Sequence, residues 1–388
     1  MKRRDDMNMF EFLHEELKAE IFEKLPVKTL VRCTSVCKPW NFLIKDSAFI
    51  RNQSKITRSH APLALCFRHY FNYELRVNQS DTHYVSLNNP DPEICRIQDF
   101  PLAHYSEHFW LTGSVNGLLC VVGDDYEEKS DELSRPQTLI LWNPSIQKSM
   151  ILPNPNLLFH TRCLVGFGYD SRSDDYKLLK MINFYDSAGF RSVAEVFSLN
   201  SGSWKIMDSR SIPHCEICYV PGSQAIVNGI IHWHFRKDKC NMLLGFNVTD
   251  ETFQEIDMPE DLTSPSIDPL ALDVLAYNDS TVGIVFRERQ RNDVLNHLWI
   301  MKDYGVSSSW IKVFTMAGIG RRLYPWSRIG VSTLIGWFGQ ELFYSRDPEN
   351  IIFGINLVNG QVRCHDFLSG KSCTFITSYV ESLVLLNR

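Results

Sequence analysis

Apolar side chains near the start of the chain recur at helical spacing. Between Glu16 and Leu25 they recur every three or four positions, which predicts a helix that ends at Pro26. A second helical run extends from Val27 to Cys37, and a third short one follows Pro39. Three such helices in about 35 residues bury too little apolar surface to be stable alone, so the pattern predicts a small unit that packs on a partner.

Beyond residue 60 the pattern changes to short runs of Val, Ile, Phe, Tyr and Trp separated by Asn, Gly, Asp and Ser. Such runs are typical of β-strands bounded by turns. The clearest are Gly117–Val122, Thr138–Trp142, Val193–Phe197, Ala225–Val227, Gly229–Trp233 and Met242–Phe246. No long amphipathic helix separates them, so an all-β domain is expected rather than a parallel βαβ sheet.

The strands recur as a unit in which a polar turn precedes a short strand. The unit restarts at Lys148, Trp204, Phe253, Trp310 and Val362, at intervals of 56, 49, 57 and 52 residues. Such a period in an all-β chain predicts propeller blades of about four strands, with about five to seven blades possible. We prefer about six, on the expectation that Phe375–Leu386 pairs with strands near Leu63–Phe67 and closes the ring. The expected fold class is α+β multidomain, with a three-helix unit before a large all-β propeller.

Composition narrows the choice of partners. The chain has 388 residues, 22% charged and 44% hydrophobic, which excludes a mostly disordered protein. Its net charge of −5 argues against nucleic acid as a partner, because phosphate binding needs a basic surface. No apolar run is long enough for a transmembrane helix and Met1–Met9 is polar, so neither a membrane nor a secretory signal is expected. The 11 scattered cysteines predict reduced thiols in the cytoplasm or nucleus.

The N-terminal segment, residues 8–52, resembles the plant F-box. The matching stretches are Leu13–Leu17, Ile21–Leu30, Val36–Trp40 and Leu43–Ile44. One departure is His14, which stands where the family usually has proline.

Residues 60–388 resemble the F-box-associated or kelch-like domain of plant F-box proteins. The matching stretches are Ser114–Cys120, Leu141–Ser145, Gly166–Asp170, Asp174–Lys177, Val227–Gly229, His232–Trp233, Leu298–Gly305, Ser309–Trp310 and Tyr379–Leu386. Within the family, the chain resembles the S-locus F-box group and its relatives, including defence-regulating F-box/kelch proteins.

The resemblance implies a substrate receptor of a Skp–cullin–F-box ubiquitin ligase. The F-box would dock on a Skp-type adaptor, and through it on the cullin and RING subunits, while the propeller holds a protein target for ubiquitination and degradation. Such a receptor supplies proximity, uses no cofactor and is not itself an enzyme. The target would be a ribonuclease of pollination, in self-incompatibility, or else an immune receptor or another housekeeping protein. The alternative is a stand-alone propeller enzyme or sugar-binding module.

The residues expected to form the adaptor-binding unit are Leu17, Ile21, Leu25, Pro26, Val27, Leu30, Val36, Trp40, Leu43 and Ile44. Some of them must instead form the internal core of so small a unit, and for Ile21, Leu30 and Trp40 the two roles are equally weighted. Pro26 and Val27 are expected on the adaptor surface.

Target binding is expected on the long connections between strands, because loops held by rigid strands commonly carry function. These connections are Asp124–Pro136, Asp186–Arg191, Glu260–Pro269, Arg287–Asn296 and Gly318–Arg328. The last contains Arg321, Arg322, Tyr324, Trp326 and Arg328. Arg, Tyr and Trp dominate the energetics of protein interfaces, so this loop is the leading target-contact hypothesis. The alternative to this hypothesis is an ordinary loop that buries Trp326 against its own residues.

Three other groups have the residue types of a chemical site, and in each a structural role is preferred. His214, Cys215, Cys218, His232, His234 and Cys240 could hold zinc, but a core strand with buried cysteines explains them better. The pairs Asp124–Asp125 and Asp174–Asp175 are interpreted as solvated turn carboxylates rather than a general acid and base. The basic stretch Arg287–Arg291 is interpreted as a loop, with an acidic partner as the alternative.

Overall fold

The structure is a computed structural model. It describes residues 13–58, 63–72, 77–85, 94–97, 108–124, 137–157, 163–186, 189–218, 224–290, 294–317, 333–338, 341–346, 351–365 and 373–388. No helix within these ranges is both long and apolar enough to span a membrane.

The chain begins with a helical unit of four helices. They are α1 (Glu15–Glu23), α2 (Val27–Cys33), α3 (Lys38–Lys45) and α4 (Ser47–Arg58). The first three confirm the predicted helices, and Pro26 and Pro39 stand at the starts of α2 and α3, where a missing N–H costs nothing. Helix α4 was not predicted. It begins after Asp46, whose carboxylate accepts hydrogen bonds from the backbone N–H groups of Ala48 and Phe49 at 2.9 and 3.1 Å.

The rest of the described chain is almost entirely β-structure, apart from the short helix α5 (Glu260–Thr263) and brief 3-10 turns. Strands of the first half are β1 (Leu63–Asn72), β2 (Val77–Val85), β3 (Ile94–Ile97), β4 (His108–Val115), β5 (Leu118–Asp124), β6 (Gln137–Asn143), β7 (Lys148–Ile151), β8 (Cys163–Asp170), β9 (Asp175–Asp186), β10 (Gly189–Ser198), β11 (Ser203–Ile206) and β12 (Glu216–Ile217). Strands of the second half are β13 (Ala225–Val227), β14 (Ile230–Lys237), β15 (Cys240–Asn247), β16 (Thr252–Asp257), β17 (Leu272–Asn278), β18 (Thr281–Arg289), β19 (Val294–Met301), β20 (Trp310–Ala317), β21 (Thr333–Phe338), β22 (Glu341–Arg346), β23 (Ile351–Asn356), β24 (Val362–Cys364) and β25 (Cys373–Tyr379). The six runs read as strands from the sequence all fall on strands of the structure.

The strands form antiparallel sheets arranged as a propeller. Three sheets contain β4–β7, β8–β11 and β17–β20, and a fourth contains β12 to β16. Each of the five positions that marked the sequence repeat is the first or second residue of a strand at the edge of its sheet. The repeated tryptophans share a role, because Trp204 and Trp310 donate through Nε1 to the carbonyls of Pro153 and Asp257, beside the last strand of the preceding sheet.

The two ends of the β-region pair with each other. Strand β25 lies antiparallel to β1, with Phe375 opposite Phe67 and Thr377 opposite Leu65. The predicted closure of the ring is therefore confirmed, and it leaves no open edge at the junction.

The number of sheets differs from the expected count of about six blades. The described strands form five sheets, because the fifth contains eight strands in the order β24-β23-β22-β21-β25-β1-β2-β3. Its two four-stranded halves are joined by one parallel pairing, between Gly336 and Ile376. Gly336 has a φ of 146°, and a Cβ atom there would overlap the carbonyl oxygen of Ile376. Glycine thus allows the approach that merges two expected blades into one sheet.

The core lies between neighbouring sheets. Leu141 and Phe167 pack between the β4–β7 and β8–β11 sheets, and Val196 and Trp233 pack between the next pair. A further cluster joins β17–β19 to β22–β23 around Leu298 and Tyr344. The sheets therefore support one another around the ring, as in a closed propeller.

The helical unit shares its core with the propeller. Phe22, Val27, Leu30 and Ile44 form one buried cluster with Leu383 of the C-terminal tail, which we define as residues 380–388. Ile146, Val384 and Leu386 pack against the same cluster. The small helical core predicted to need a partner thus finds part of that partner within its own chain.

Candidate functional site

Several large apolar side chains of the helical unit face solvent. Leu17 and Ile21 on α1 are 49% and 42% exposed, Val36 is 63% exposed and Phe42 on α3 is 77% exposed. We call these four residues the exposed apolar set. Apolar side chains concentrated on a small exposed unit are typical of a protein–protein contact.

The structure divides the residues expected to bind the adaptor. Leu17, Ile21, Pro26 and Val36 are exposed, whereas Leu25, Trp40 and Leu43 are half-buried. Val27, Leu30 and Ile44 are 1% exposed or less and belong to the core that includes Leu383. The expectation that Val27 lies on the surface is wrong, because its side chain belongs to this buried core. Phe42 was missed, although its position off the buried face of α3 could have shown it.

The tail is held on the propeller by motifs that the sequence resemblance picked out. The Asn143 amide Nδ2 donates to the backbone carbonyls of Ser382 and Val384 at 3.0 and 2.8 Å. The hydroxyls of Ser145 and Tyr379 lie 2.6 Å apart in a hydrogen bond. The Asn-Pro-Ser segment therefore positions the tail, and through it the helical unit.

Helix α4 also contacts the propeller directly. Arg51 forms an ion pair with Asp174 in the β8–β9 turn at 3.0 Å, and Ser47 accepts a hydrogen bond from Asn387 at 3.3 Å. Both ion-pair partners are about half exposed, so this pair orients α4 more than it stabilises the fold.

The helical unit and the long connections lie at opposite ends of the strands. Successive connections in an antiparallel sheet alternate between the two ends. Three turns contact α4 or the tail, at Asn143, Asp174 and Asn200. The turn at Asp174 joins the first two strands of its sheet, and the turns at Asn143 and Asn200 join the last two strands of theirs. We call this end the helix face. Connections between second and third strands, and between sheets, lie at the other end, which we call the loop face.

The expected long connections have mixed outcomes. Asp186–Arg191 is not a long loop, since β9 ends at Asp186 and β10 begins at Gly189. Glu260–Pro269 carries α5 and is anchored by Asn241, whose amide donates to the carbonyls of Leu262 and Ser264 at 3.1 and 3.2 Å. The proposed target residues Arg321, Arg322, Tyr324, Trp326 and Arg328 lie outside the described residues.

The basic stretch from Arg287 is not a loop at its start. Arg287, Glu288 and Arg289 are in β18, and Arg287 is 3.1 Å from the Asp273 carboxylate. Arg287 also donates to the carbonyl of Leu270 at 2.5 Å. Arg287 therefore stabilises the connection into β17, and its guanidinium is used within the chain rather than for an acidic partner protein.

Three of the candidate zinc residues, Cys215, His232 and His234, are buried within the β-structure. Within the described ranges, no three His, Cys, Asp or Glu side chains are placed to share a metal ion. His232 bonds the Tyr304 hydroxyl through Nε2 at 2.6 Å, and His234 bonds Asn241 Oδ1 at 3.0 Å. Burial lowers the pKa of each histidine to about 4 and raises the pKa of the Cys215 thiol to about 12.

The second acidic pair differs from the expected solvated turn. Asp175 is 4% exposed, accepting hydrogen bonds from Ser198 Oγ at 2.6 Å and from the backbone N–H of Asn200 at 2.8 Å. Asp174 adopts a left-handed φ of 52° and accepts a hydrogen bond from the Tyr169 hydroxyl at 2.6 Å. Asp175 thus fixes the β10–β11 turn, and Asp174 faces α4.

Comparison with known proteins follows the same division into two parts. The F-box domain profile matches residues 10–52, and the profile described as F-box associated beta propeller domain matches residues 73–386. F-box protein CPR1 of Arabidopsis thaliana is 27% identical over 379 residues, spanning 92% of this chain and 82% of that protein. F-box protein At3g07870 of the same plant is 25% identical over 328 residues, spanning 79% and 73%.

A third relative, putative F-box protein At3g17490 of Arabidopsis thaliana, is 26% identical over 415 residues and spans 98% of this chain and 96% of that protein. The expectation that the propeller repeat is of the kelch type stays a prediction. Because the propeller profile extends over most of the sequence and the helical profile precedes it, the chain belongs to the F-box proteins that carry an F-box associated β-propeller domain.

Proposed function

We propose that this protein is the substrate receptor of a Skp–cullin–F-box ubiquitin ligase. The observation that carries the proposal is the exposed apolar set, Leu17, Ile21, Val36 and Phe42, on a helical unit that matches the F-box profile. These side chains stay exposed even though the tail completes the core beneath them. A Skp-type adaptor that covers them would bury apolar surface, which is the main favourable term in protein association.

The two faces of the propeller suit a receptor. The helical unit occupies the helix face, and the connections that vary most in length lie at the loop face. A target held at the loop face would be kept at a fixed distance and orientation from the adaptor, because the tail, Asn143 and Arg51 fix the helical unit. The receptor then acts by placing target and ubiquitin-conjugating enzyme together, without chemistry of its own.

The connection Gly318–Arg328 is proposed as the target-binding loop, and the position of the strands on either side of it supports the proposal. Strand β20 ends at Ala317 and β21 begins at Thr333, both at the loop face. For the target itself, the family resemblance implies either a pollination ribonuclease or an immune receptor or other housekeeping protein. Expression confined to pollen would favour the ribonuclease.

Adaptor binding is tested by co-purification of the full chain with a Skp-type adaptor and by titration of the purified pair. We expect the wild-type chain to capture the adaptor. Combined substitution Leu17→Asp, Ile21→Asp and Phe42→Asp should weaken binding by at least about tenfold, since a charge replaces each apolar contact. Urea unfolding of the variant shows whether the fold is retained.

The matched control is Val358→Asp, because Val358 is 65% exposed on the propeller. This variant should bind the adaptor as the wild type does. A wild-type chain that ignores the adaptor, or a folded triple variant that binds with unchanged affinity, would refute the proposal.

Target binding has its own test. Substituting Arg321, Arg322 and Trp326 by Ala should abolish capture of the target while adaptor binding is retained. Arg172→Ala, a 73% exposed arginine side chain on the helix face, serves as the control. Unchanged target capture by the folded triple variant would remove this loop from the proposal and leave the adaptor surface unaffected.

A further inference from the structure

A cleft separates α4 from the propeller on the helix face. It has a volume of about 540 Å³, and its walls come from α4, the β8–β9 turn, the residues after β10 and the tail. This volume lies in the range of sites that hold small organic molecules. No residue of the exposed apolar set lines the cleft.

The charges along the cleft are mostly positive. Arg51, Lys55 and Arg388 line it, opposed by the single carboxylate of Asp174 among the described side chains that form its walls. The whole chain has a net charge of −5, so this local surplus of positive charge runs against the overall balance. A positive cleft in an acidic protein favours an anion over a cation or a neutral molecule.

The three cations are held differently. The Arg388 guanidinium donates to the carbonyl of Leu199 at 2.7 Å and to Asn200 Oδ1 at 3.0 Å, which fixes its position at the wall. Arg51 is paired with Asp174 at 3.0 Å. Lys55 is exposed and has no hydrogen bond or ion pair within the described part of the chain. An anion entering the cleft would therefore find one free ammonium group and one guanidinium in a weak, exposed pair.

Apart from Ser54, the buried residues that line the cleft are apolar or aromatic, and we call them its floor. Ile50, Leu199 and Leu385 are buried side chains that line it, and Tyr176 contributes a ring that is 8% exposed. A ligand with an apolar body and an anionic group would thus match both the floor and the rim.

We propose that this cleft binds a small organic anion, with a phosphate or carboxylate group at Arg51 and Lys55 and an apolar or aromatic body on the floor. The ligand would contact the helical unit and the propeller together, so its binding would stabilise their relative orientation. This site goes beyond the receptor role proposed above, and its test needs neither adaptor nor target.

The test is calorimetric titration of the full chain with phenyl phosphate, with benzoate and with neutral benzyl alcohol. We expect at least one anion to bind, to bind more tightly than benzyl alcohol, and to bind more weakly at 200 than at 50 mM salt. The anion that binds more tightly identifies phosphate or carboxylate as the preferred group.

Two variants change the charge of the cleft in opposite directions. Lys55→Ala should weaken binding of the anion by about threefold, as expected for one exposed charge. Asp174→Asn should strengthen it by about threefold, since the competing carboxylate is removed. Asparagine tolerates the left-handed conformation of residue 174 and can still accept the bond from Tyr169.

Lys38→Ala, an exposed lysine of α3 outside the cleft, is the matched control and should leave the affinity unchanged. The proposal is overturned if neither anion binds, if benzyl alcohol binds as tightly, or if Lys55→Ala and Asp174→Asn bind the anion as the wild type does.

Discussion

The side-chain amide of Asn143 donates a hydrogen bond to the backbone carbonyl of Ser382, 239 positions later in the chain, at 3.0 Å. The same amide reaches the carbonyl of Val384 at 2.8 Å, and its oxygen accepts from the backbone N–H of Ser145 at 3.0 Å. Asn143 is fully buried. One side chain thus holds the tail that supports the helical unit.

Replacement of Asn143 by Ala should lower the free energy of unfolding by about 2–3 kcal/mol, because the buried carbonyls of Ser382 and Val384 lose their partner. Urea unfolding at neutral pH measures this. Asn359→Ala, which removes one exposed hydrogen bond from the backbone N–H of Gln361 in the β23–β24 turn, is the control and should cost about 1 kcal/mol or less. Equal losses in the two variants would contradict the proposed role of Asn143.

Leu383 is the tail residue that enters the core of the helical unit, and it is fully buried. We expect Leu383→Ala to cost about 2–5 kcal/mol through the lost contacts and the cavity. Hydrogen exchange should accelerate first in α1 to α3, whose side chains surround the site. In the control Leu270→Ala, a 57% exposed leucine is shortened, and exchange in these helices should not change. Unaltered exchange in α2 of the Leu383 variant would be the contrary result.

Gly117 combines a left-handed φ of 78° with close contact to the tail, where a Cβ atom would lie 2.5 Å from the carbonyl oxygen of Val380. Gly202 has a similar φ of 65°, but nothing lies within 4 Å of its Cβ position. Gly202→Ala should therefore cost only the backbone strain of about 1–2 kcal/mol. Gly117→Ala should cost about 1–3 kcal/mol more, because the tail must move. Equal losses in unfolding experiments would show that the tail does not pack on Gly117.

Burial lowers the pKa of His232 and His234 to about 4 from a value of 6.5. Between these values the unfolded chain binds protons that the folded chain does not. The contribution of each histidine to stability is therefore fully present above pH 6.5 and falls as the pH decreases toward 4, by about 2 kcal/mol at pH 5.

Urea unfolding at pH 7 and pH 5 measures this contribution. His234→Gln should reduce the loss of stability between the two pH values by about 2 kcal/mol, whereas His14→Gln, at an exposed site, should not. A His234→Gln variant that loses as much stability as the wild type would show that His234 does not stay neutral in the fold.

The strands were predictable because the same physical requirement recurs in each sheet. Trp204 and Trp310 lie at the starts of corresponding strands, and each bonds a carbonyl at or just after the end of the last strand of the preceding sheet. Their spacing in the sequence therefore reports the size of the repeat. Closure of the ring also followed from the apolar pattern of the last strand. The number of sheets did not, since it depends on one close approach at Gly336 that no periodicity reveals.

Helix α4 escaped prediction because its inward face is partly polar. Gln53 is fully buried and Ser54 is 6% exposed, so the apolar spacing is interrupted where the helix packs.

For the residues expected to bind the adaptor, the sequence identified the helices but not which face of each helix is buried. Val27 and Ile21 are both apolar and both helical, yet only Val27 belongs to the core that also contains Leu383, from the opposite end of the chain.

Leu30 and Leu383 share one buried core although the ribosome makes them at opposite ends of synthesis. The F-box helices leave the ribosome first, and Leu383, which completes their core, is made more than 300 residues later. A chain interrupted anywhere in the propeller would expose the apolar interior of its helices. Full burial of the F-box core therefore waits for the C-terminal tail, and a truncated chain should have less stable F-box helices than the whole protein.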